Sequence, residues 1–190
     1  RGVNLSMNLP SLITWTRVIA IPVFILCYFL DTPNKNIVLT LLFMAASLTD
    51  WLDGYLARKW NQTSSFGAFL DPVADKLLVA VALIAIIDHD PHKWYLTLSV
   101  MIIICREITI SALREWMASM GERGVVAVSW IGKWKTAFQM GAITFILYEK
   151  SLLGIPLYEV GILFLIVATV LTLWSMIQYL YSTWKVLRVR

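Results

Sequence analysis

The chain has 190 residues, 59% of them hydrophobic and 15% charged, with a formal net charge of +4, a pI near 9.1 and a mean hydropathy of +0.73. Such a composition excludes a disordered chain, which needs low apolarity, a secreted disulfide scaffold, which needs many cysteines, and a coiled coil. The basic balance does not point to nucleic acid, because lysine and arginine are scattered among apolar runs rather than gathered into a stripe. Anionic lipid and phosphorylated substrates fit it better. Cys27 and Cys105 both stand in apolar runs and read as small apolar fillers, not as a redox or metal pair.

In chain order, Met7-Asn8-Leu9-Pro10 looks like a natural start, so residues 1–6 are set aside as an expression remnant or disordered tail and 7–190 are read as one transmembrane domain. The first apolar run continues to Leu30 and ends in the polar turn Asp31 to Asn36, with no small-residue cleavage site. Further runs cover 37–57, 68–87, 94–117, 130–148 and 155–183, each near or above the ~20 residues a helix needs to cross a bilayer. The breaks between them carry turn residues: Asn61 to Ser65, Asp88 to Lys93, Gly121 to Gly124, and Glu149 to Ser151 with Pro156 beyond. The expected fold is therefore an all-α integral membrane protein of six transmembrane helices, without internal repeats.

Orientation follows from the basic residues of the connections. Arg58, Lys59, Arg123, Lys133, Lys135, Lys185, Arg188 and Arg190 fall on one side, and Lys35, Lys93 and Lys150 on the other. The richer side is expected in the cytoplasm, with both termini, which describes a multi-pass membrane protein. Trp94, Tyr95, Tyr148, Trp174 and Trp184 read as interfacial anchors.

Ionisable groups inside spans cost a few kcal/mol each, so each needs a reason. Asp50 and Asp53 stand near the cytoplasmic end of the second run, Asp71 and Asp75 near the start of the third, and Arg106 with Glu107 in the fourth. At ~100° per residue, Asp50, Asp53, Gly54, Ala57 and Arg58 share an arc of about 140°, and Gly67, Asp71 and Asp75 one of about 80°. A short polar turn makes the two helices antiparallel neighbours, so four carboxylates converge on a cavity that faces the cytoplasm. In a low dielectric they would repel one another unless cations neutralised them. Carboxylate-only ligation suits hard divalent ions such as Mg²⁺ or Mn²⁺. The small residues on the same face leave room for a ligand, and Arg58 would meet an anionic group there. A simple helix-packing device with acids paired to Arg58, Lys59 and Lys76 would not need four acids at one depth.

Written out, Asp50-x2-Asp53-Gly54-x2-Ala57-Arg58-x8-Gly67-x3-Asp71-x3-Asp75 resembles the CDP-alcohol phosphotransferase signature at every defined position. The flanking segments Asn8 to Thr14 with Arg17, Arg106-Glu107, Ser111 to Trp116, and Gly132-Lys133-Trp134-Lys135-Thr136 resemble bacterial members of that family that act on glycerol phosphate. The resemblance implies a six-helix enzyme, usually a homodimer, that joins CDP-diacylglycerol to sn-glycerol 3-phosphate and releases CMP. It also implies two divalent metal ions. Carried over by position, Asp50, Asp53 and Asp71 would hold one, Asp50, Asp71 and Asp75 the other, and Asp75 would be the base. Gly54, Ala57, Arg58 and Gly67 would line the nucleotide pocket, with Asn8, Thr14 and Arg17 closing it.

A phosphorylated acceptor needs cations of its own. Arg106 and Arg114 lie about 80° apart on one helix, with Glu107 nearly eclipsed by Arg114, which makes a stripe able to hold an anion. Lys133 and Lys135 are about 200° apart, so at most one shares that cavity, and Lys135 is favoured. Acceptors such as inositol phosphate or serine share the signature. A membrane prenyltransferase would carry two separate aspartate-rich motifs, and a cation transporter would show repeats or broken helices, which this chain lacks.

Overall fold

A computed structural model describes the backbone of residues 9–60, 65–121 and 130–189, and side chains over 18–49, 73–121 and 130–185 together with Thr16 and Arg188. Among the described residues there are six helices: α1 Leu9–Phe29, α2 Lys35–Trp60, α3 Ser65–His89, α4 Trp94–Ser119, α5 Trp130–Tyr148 and α6 Leu157–Val189. They coincide with the six apolar runs to within a few residues, except that α6 continues past the apolar stretch to Val189.

The chain falls into two compact units, the first reaching to Ala85 and the second running from Ile86. In the first unit α1 packs on α2, and Phe24, Leu39, Phe43 and Ala46 are buried. The Tyr28 hydroxyl donates to the Ala85 carbonyl at 3.3 Å, and the Lys35 ammonium lies 4.3 Å above the Tyr28 ring. Pro22 stands inside α1, where it removes one backbone hydrogen bond.

In the second unit α6 packs along both α5 and α4. The seam with α5 is close because glycine lines it. A Cβ on Gly161 would stand 2.7 Å from Ile146 Cγ1 and 3.0 Å from the Ile146 backbone nitrogen, and one on Gly141 would stand 3.1 Å from the Phe164 ring. Phe164 also meets Phe138 and Phe145 with ring centroids 5.1 and 5.6 Å apart. Toward the C-terminal ends of α4 and α6, Ile110, Met117 and Tyr179 form a smaller buried cluster.

One element is absent from the sequence reading. Between α5 and α6, Ser151–Leu152 and Ile155–Pro156 pair as a two-rung antiparallel ladder. Leu153 and Gly154 at its tip have φ of 53° and 81°, the pair of positive values that a tight hairpin turn demands. On the same side of the unit, Lys93 Nζ donates to Asp90 Oδ2 at 3.1 Å and to the Tyr158 hydroxyl at 2.8 Å, and that hydroxyl donates in turn to Asp90. His89 Nε2 lies 3.1 Å from Glu149 Oε1.

Among the described residues, two helices are long and apolar enough to cross a bilayer, Trp94–Ser119 and the Leu157–Lys185 stretch of α6, with mean hydropathies of 1.8 and 2.5. Only a third of each apolar window is buried inside the molecule. Leu163, Val170, Trp174 and Ile177 of α6 are exposed, which a core helix of a water-soluble protein would not tolerate and a lipid-facing helix requires. Several hydroxyls of α4, α5 and α6 are closed on their own backbone: Thr109 donates to Cys105, Thr144 to Met140 and Thr169 to Leu165. That is the economy expected where no water can satisfy them.

Candidate active site

The aspartate signature lies on two helices of the first unit. Asp50, Asp53, Gly54, Ala57 and Arg58 occupy the last turns of α2, which ends at Trp60, and Gly67, Asp71 and Asp75 the first turns of α3, which begins at Ser65. Because both stretches are helical, the angular arithmetic above applies to them, and each set shares one arc of its helix. Asp75 is half-buried. The side chains of Asp50, Asp53, Gly54, Ala57, Arg58, Gly67 and Asp71 lie outside the described residues, as do Asn8 and the side chains of Thr14 and Arg17. The donor set is carboxylate throughout, the chemistry that a hard divalent cation takes.

The second unit holds a buried polar layer built from α4, α5 and α6. Arg106 is 6% exposed and Lys135 4%, depths at which cations are found only when paired. Glu107 accepts from both: Arg106 Nη1 lies 3.4 Å from Glu107 Oε1, and Lys135 Nζ donates to the same oxygen. Arg106 Nη2 donates to the Ser175 hydroxyl at 3.0 Å. Arg114, exposed at the rim, donates to the Tyr179 hydroxyl at 3.1 Å. Both guanidinium groups also stack near the Tyr179 ring, at 5.5 Å for Arg106 and 5.4 Å for Arg114.

Two buried cations thus share the Glu107 carboxylate, with a third cation at the edge. Such an excess of positive charge is costly without an anion to offset it, and it suits a phosphate. The two lysines of α5 part company: Lys135 turns into this layer and Lys133 is exposed.

The family model for CDP-alcohol phosphatidyltransferases matches residues 7–174. The chain belongs to the CDP-alcohol phosphatidyltransferase family. It is 52% identical over 176 residues to the CDP-diacylglycerol–glycerol-3-phosphate 3-phosphatidyltransferase of Shigella flexneri serotype 5b (strain 8401), a match covering 93% of this chain and 94% of the relative. The proteins of the same name from Escherichia coli strain K12 and Haemophilus influenzae strain Rd are 51% and 50% identical, over 93% of this chain and 94% and 93% of theirs.

For this phosphatidyltransferase the match runs through both compact units, and it takes in the aspartate signature and, in the polar layer, Arg106, Glu107, Arg114 and Lys135, ending just before Ser175. Enzymes of the family generally depend on divalent metal, in keeping with a carboxylate-only donor set. Tyr179, Ser175 and Gln139 take part in the polar layer but carry no signal in the sequence, because each is an uncharged residue in an apolar helix. A tyrosine near the end of a span reads as an interfacial anchor, and only the fold shows Tyr179 turned inward between two arginines.

Proposed function

We propose that the protein transfers the phosphatidyl group of CDP-diacylglycerol to sn-glycerol 3-phosphate, giving phosphatidylglycerophosphate and CMP on the route to phosphatidylglycerol and cardiolipin. The observation that carries this reading is the roughly half-identity, over nine-tenths of both chains, to relatives named for that reaction. The buried cationic layer supports a phosphorylated acceptor, since a neutral one would have no use for Arg106, Lys135 and Arg114 together.

Each group then has a role. Asp50, Asp53, Asp71 and Asp75 would hold two divalent ions, Mg²⁺ or Mn²⁺, whose charge would offset that of the pyrophosphate and make the acceptor hydroxyl more acidic. Asp75 takes the proton from that hydroxyl as its oxygen attacks the β-phosphorus. The bond from that phosphorus to the bridging oxygen breaks, and CMP leaves with the electron pair. Arg58 offsets the charge that develops on the departing nucleotide. Gly54, Ala57 and Gly67, closed by Asn8, Thr14 and Arg17, leave room for cytidine. Arg106, Arg114 and Lys135 take the acceptor phosphate, with Lys133 at the rim. In this reading all six helices span the inner membrane with termini and active site on the cytoplasmic side, and the enzyme works as a homodimer.

The test is turnover by the purified protein in detergent with CDP-diacylglycerol, Mg²⁺ or Mn²⁺, and glycerol 3-phosphate, inositol 1-phosphate, serine or glycerol. CMP release and lipid product are expected with glycerol 3-phosphate alone, and Asp71→Asn is expected to reduce them by at least about 10³-fold. Release with serine or inositol phosphate instead would overturn the acceptor, and full activity of Asp71→Asn the metal arrangement.

A further inference from the structure

Among the described residues, three buried side-chain polar atoms have no hydrogen-bond partner: Arg106 Nε, Gln139 Oε1 and Thr172 Oγ1. All three side chains are more than nine-tenths buried, Gln139 at 4% exposed and Thr172 at 0%. Thr172 departs from its neighbours. Thr169 and Thr183 on the same helix close their hydroxyls on the carbonyls of Leu165 and Tyr179 at 2.8 and 2.9 Å, while Thr172 does not. Orphaned polar atoms at such depth are rare in native proteins and call for a partner.

Each of the three belongs to, or stands one helical turn from, a residue of the Arg106–Glu107–Lys135–Ser175 network. Gln139 stands one turn from Lys135 on α5, and Thr172 one turn from Ser175 on α6, whose hydroxyl donates to the Thr172 carbonyl at 2.9 Å. Arg106 of α4 donates to Ser175, and Glu107 beside it accepts from Lys135. The guanidinium spends one N–H of Nη1 on Glu107 and one of Nη2 on Ser175, while its Nε–H meets no partner among the described residues.

Their chemistry selects the ligand. Arg106 Nε–H only donates, Gln139 Oε1 only accepts, and the Thr172 hydroxyl does either. A phosphate oxygen would satisfy the arginine and repel the glutamine carbonyl. An ammonium would satisfy the glutamine and repel the arginine. A hydroxyl, which accepts with one side and donates with the other, satisfies both.

We propose that Gln139, Thr172 and Arg106 Nε read the non-reacting hydroxyl of the acceptor, so that this corner of the layer selects a polyol phosphate over a simple alkyl phosphate. The inference rests on the acceptor reading above and adds specificity-determining residues to it. A water molecule has the same hydrogen-bonding chemistry, and the experiment separates the two sources.

The purified enzyme is assayed with glycerol 3-phosphate and with 3-hydroxypropyl phosphate, which keeps the phosphate and the attacking primary hydroxyl but lacks the middle one. The wild type is expected to prefer glycerol 3-phosphate by about 30-fold in kcat/KM, the effect of leaving buried polar groups unpaired. Gln139→Leu and, separately, Thr172→Val are expected to bring the ratio to within about threefold, by loss on glycerol 3-phosphate, with the KM for CDP-diacylglycerol unchanged. Because the ratio is internal to each preparation, it does not depend on the folded fraction.

A wild-type preference that survives both substitutions would overturn the proposal and assign the three atoms to water. So would a wild type that turns over both phosphates equally. Turnover of serine or inositol phosphate with neither glycerol-type acceptor would sink the acceptor reading itself, and this inference with it.

Discussion

Glu107 stands between two cations that no solvent shell reaches. Neutralising it leaves Arg106 and Lys135 without their shared carboxylate, and breaking a buried pair in this way costs about 3 kcal/mol or more. Glu107→Gln should therefore lower the detergent unfolding temperature well beyond Arg114→Ala, whose guanidinium sits at the rim; differential scanning fluorimetry on the two variants checks the order. Arg114→Ala is expected to act on catalysis instead, raising the KM for glycerol 3-phosphate about tenfold or more, the worth of a charge-assisted hydrogen bond, while leaving that for CDP-diacylglycerol unchanged. Equal effects on both substrates would remove Arg114 from the acceptor pocket. At this scale the sequence was informative where a residue was chemically out of place. Arg106, Glu107, Arg114 and Lys135 stand out as ionisable groups in apolar runs. Gln139, Thr172, Ser175 and Tyr179 do not, since threonines such as Thr169 and Thr183 are common in lipid-embedded helices and ordinarily close on their own backbone. Periodicity along one helix cannot tell which polar side chain faces another helix.

The six helices were legible because an apolar run of some twenty residues admits little else in a membrane. Their ends were less so. The extra length of α6 carries Lys185 and Arg188, good helix formers beyond the apolar stretch, and the ladder at Ser151–Leu152 and Ile155–Pro156 is too short to show a period. Closeness of the α5–α6 seam was invisible in one dimension, since glycines marked only low propensity. Gly161→Ala tests it. The new methyl would meet the backbone nitrogen of Ile146 at 3.0 Å, which cannot rotate away, so overpacking should cost about 1–3 kcal/mol. Gly141→Ala should cost less, because its contact is the Phe164 ring, which can turn. Thermal unfolding of the two variants against the wild type measures the difference, and equal loss would mean that the seam yields as a whole.

Taken whole, the chain's contacts gather into two compact units joined within α3, and the family match spans both. Long-range packing of this kind leaves no composition shift to read. The second unit is also tied outside its apolar helices, through Asp90, Lys93 and Tyr158. The Tyr158 hydroxyl, followed by Lys93, holds the Asp90 carboxyl below its ordinary range, and the same hydroxyl, followed by Asp90, holds the Lys93 ammonium above its own. A lowered carboxylate stabilises the fold above its ordinary pKa of about 3.9 and loses that contribution as pH falls through the lowered value. A raised lysine contributes below its ordinary pKa of about 10.4 and loses that as pH climbs through the raised value. Unfolding temperature in detergent should therefore stay level across neutral pH and decline below about pH 4. Asp90→Asn should start lower at neutral pH and decline less on acidification; a variant that matched the wild type at every pH would show that the network adds nothing.

The tight link from Tyr148 to Leu157 bears on how the protein is made. Helices that meet along their length and are joined by a self-paired turn leave almost no loop entropy to be lost in bringing them together. During synthesis α5 and α6 can associate as soon as the second of them has left the ribosome. The last two helices would then form a ready-made pair, with their glycine seam already closed.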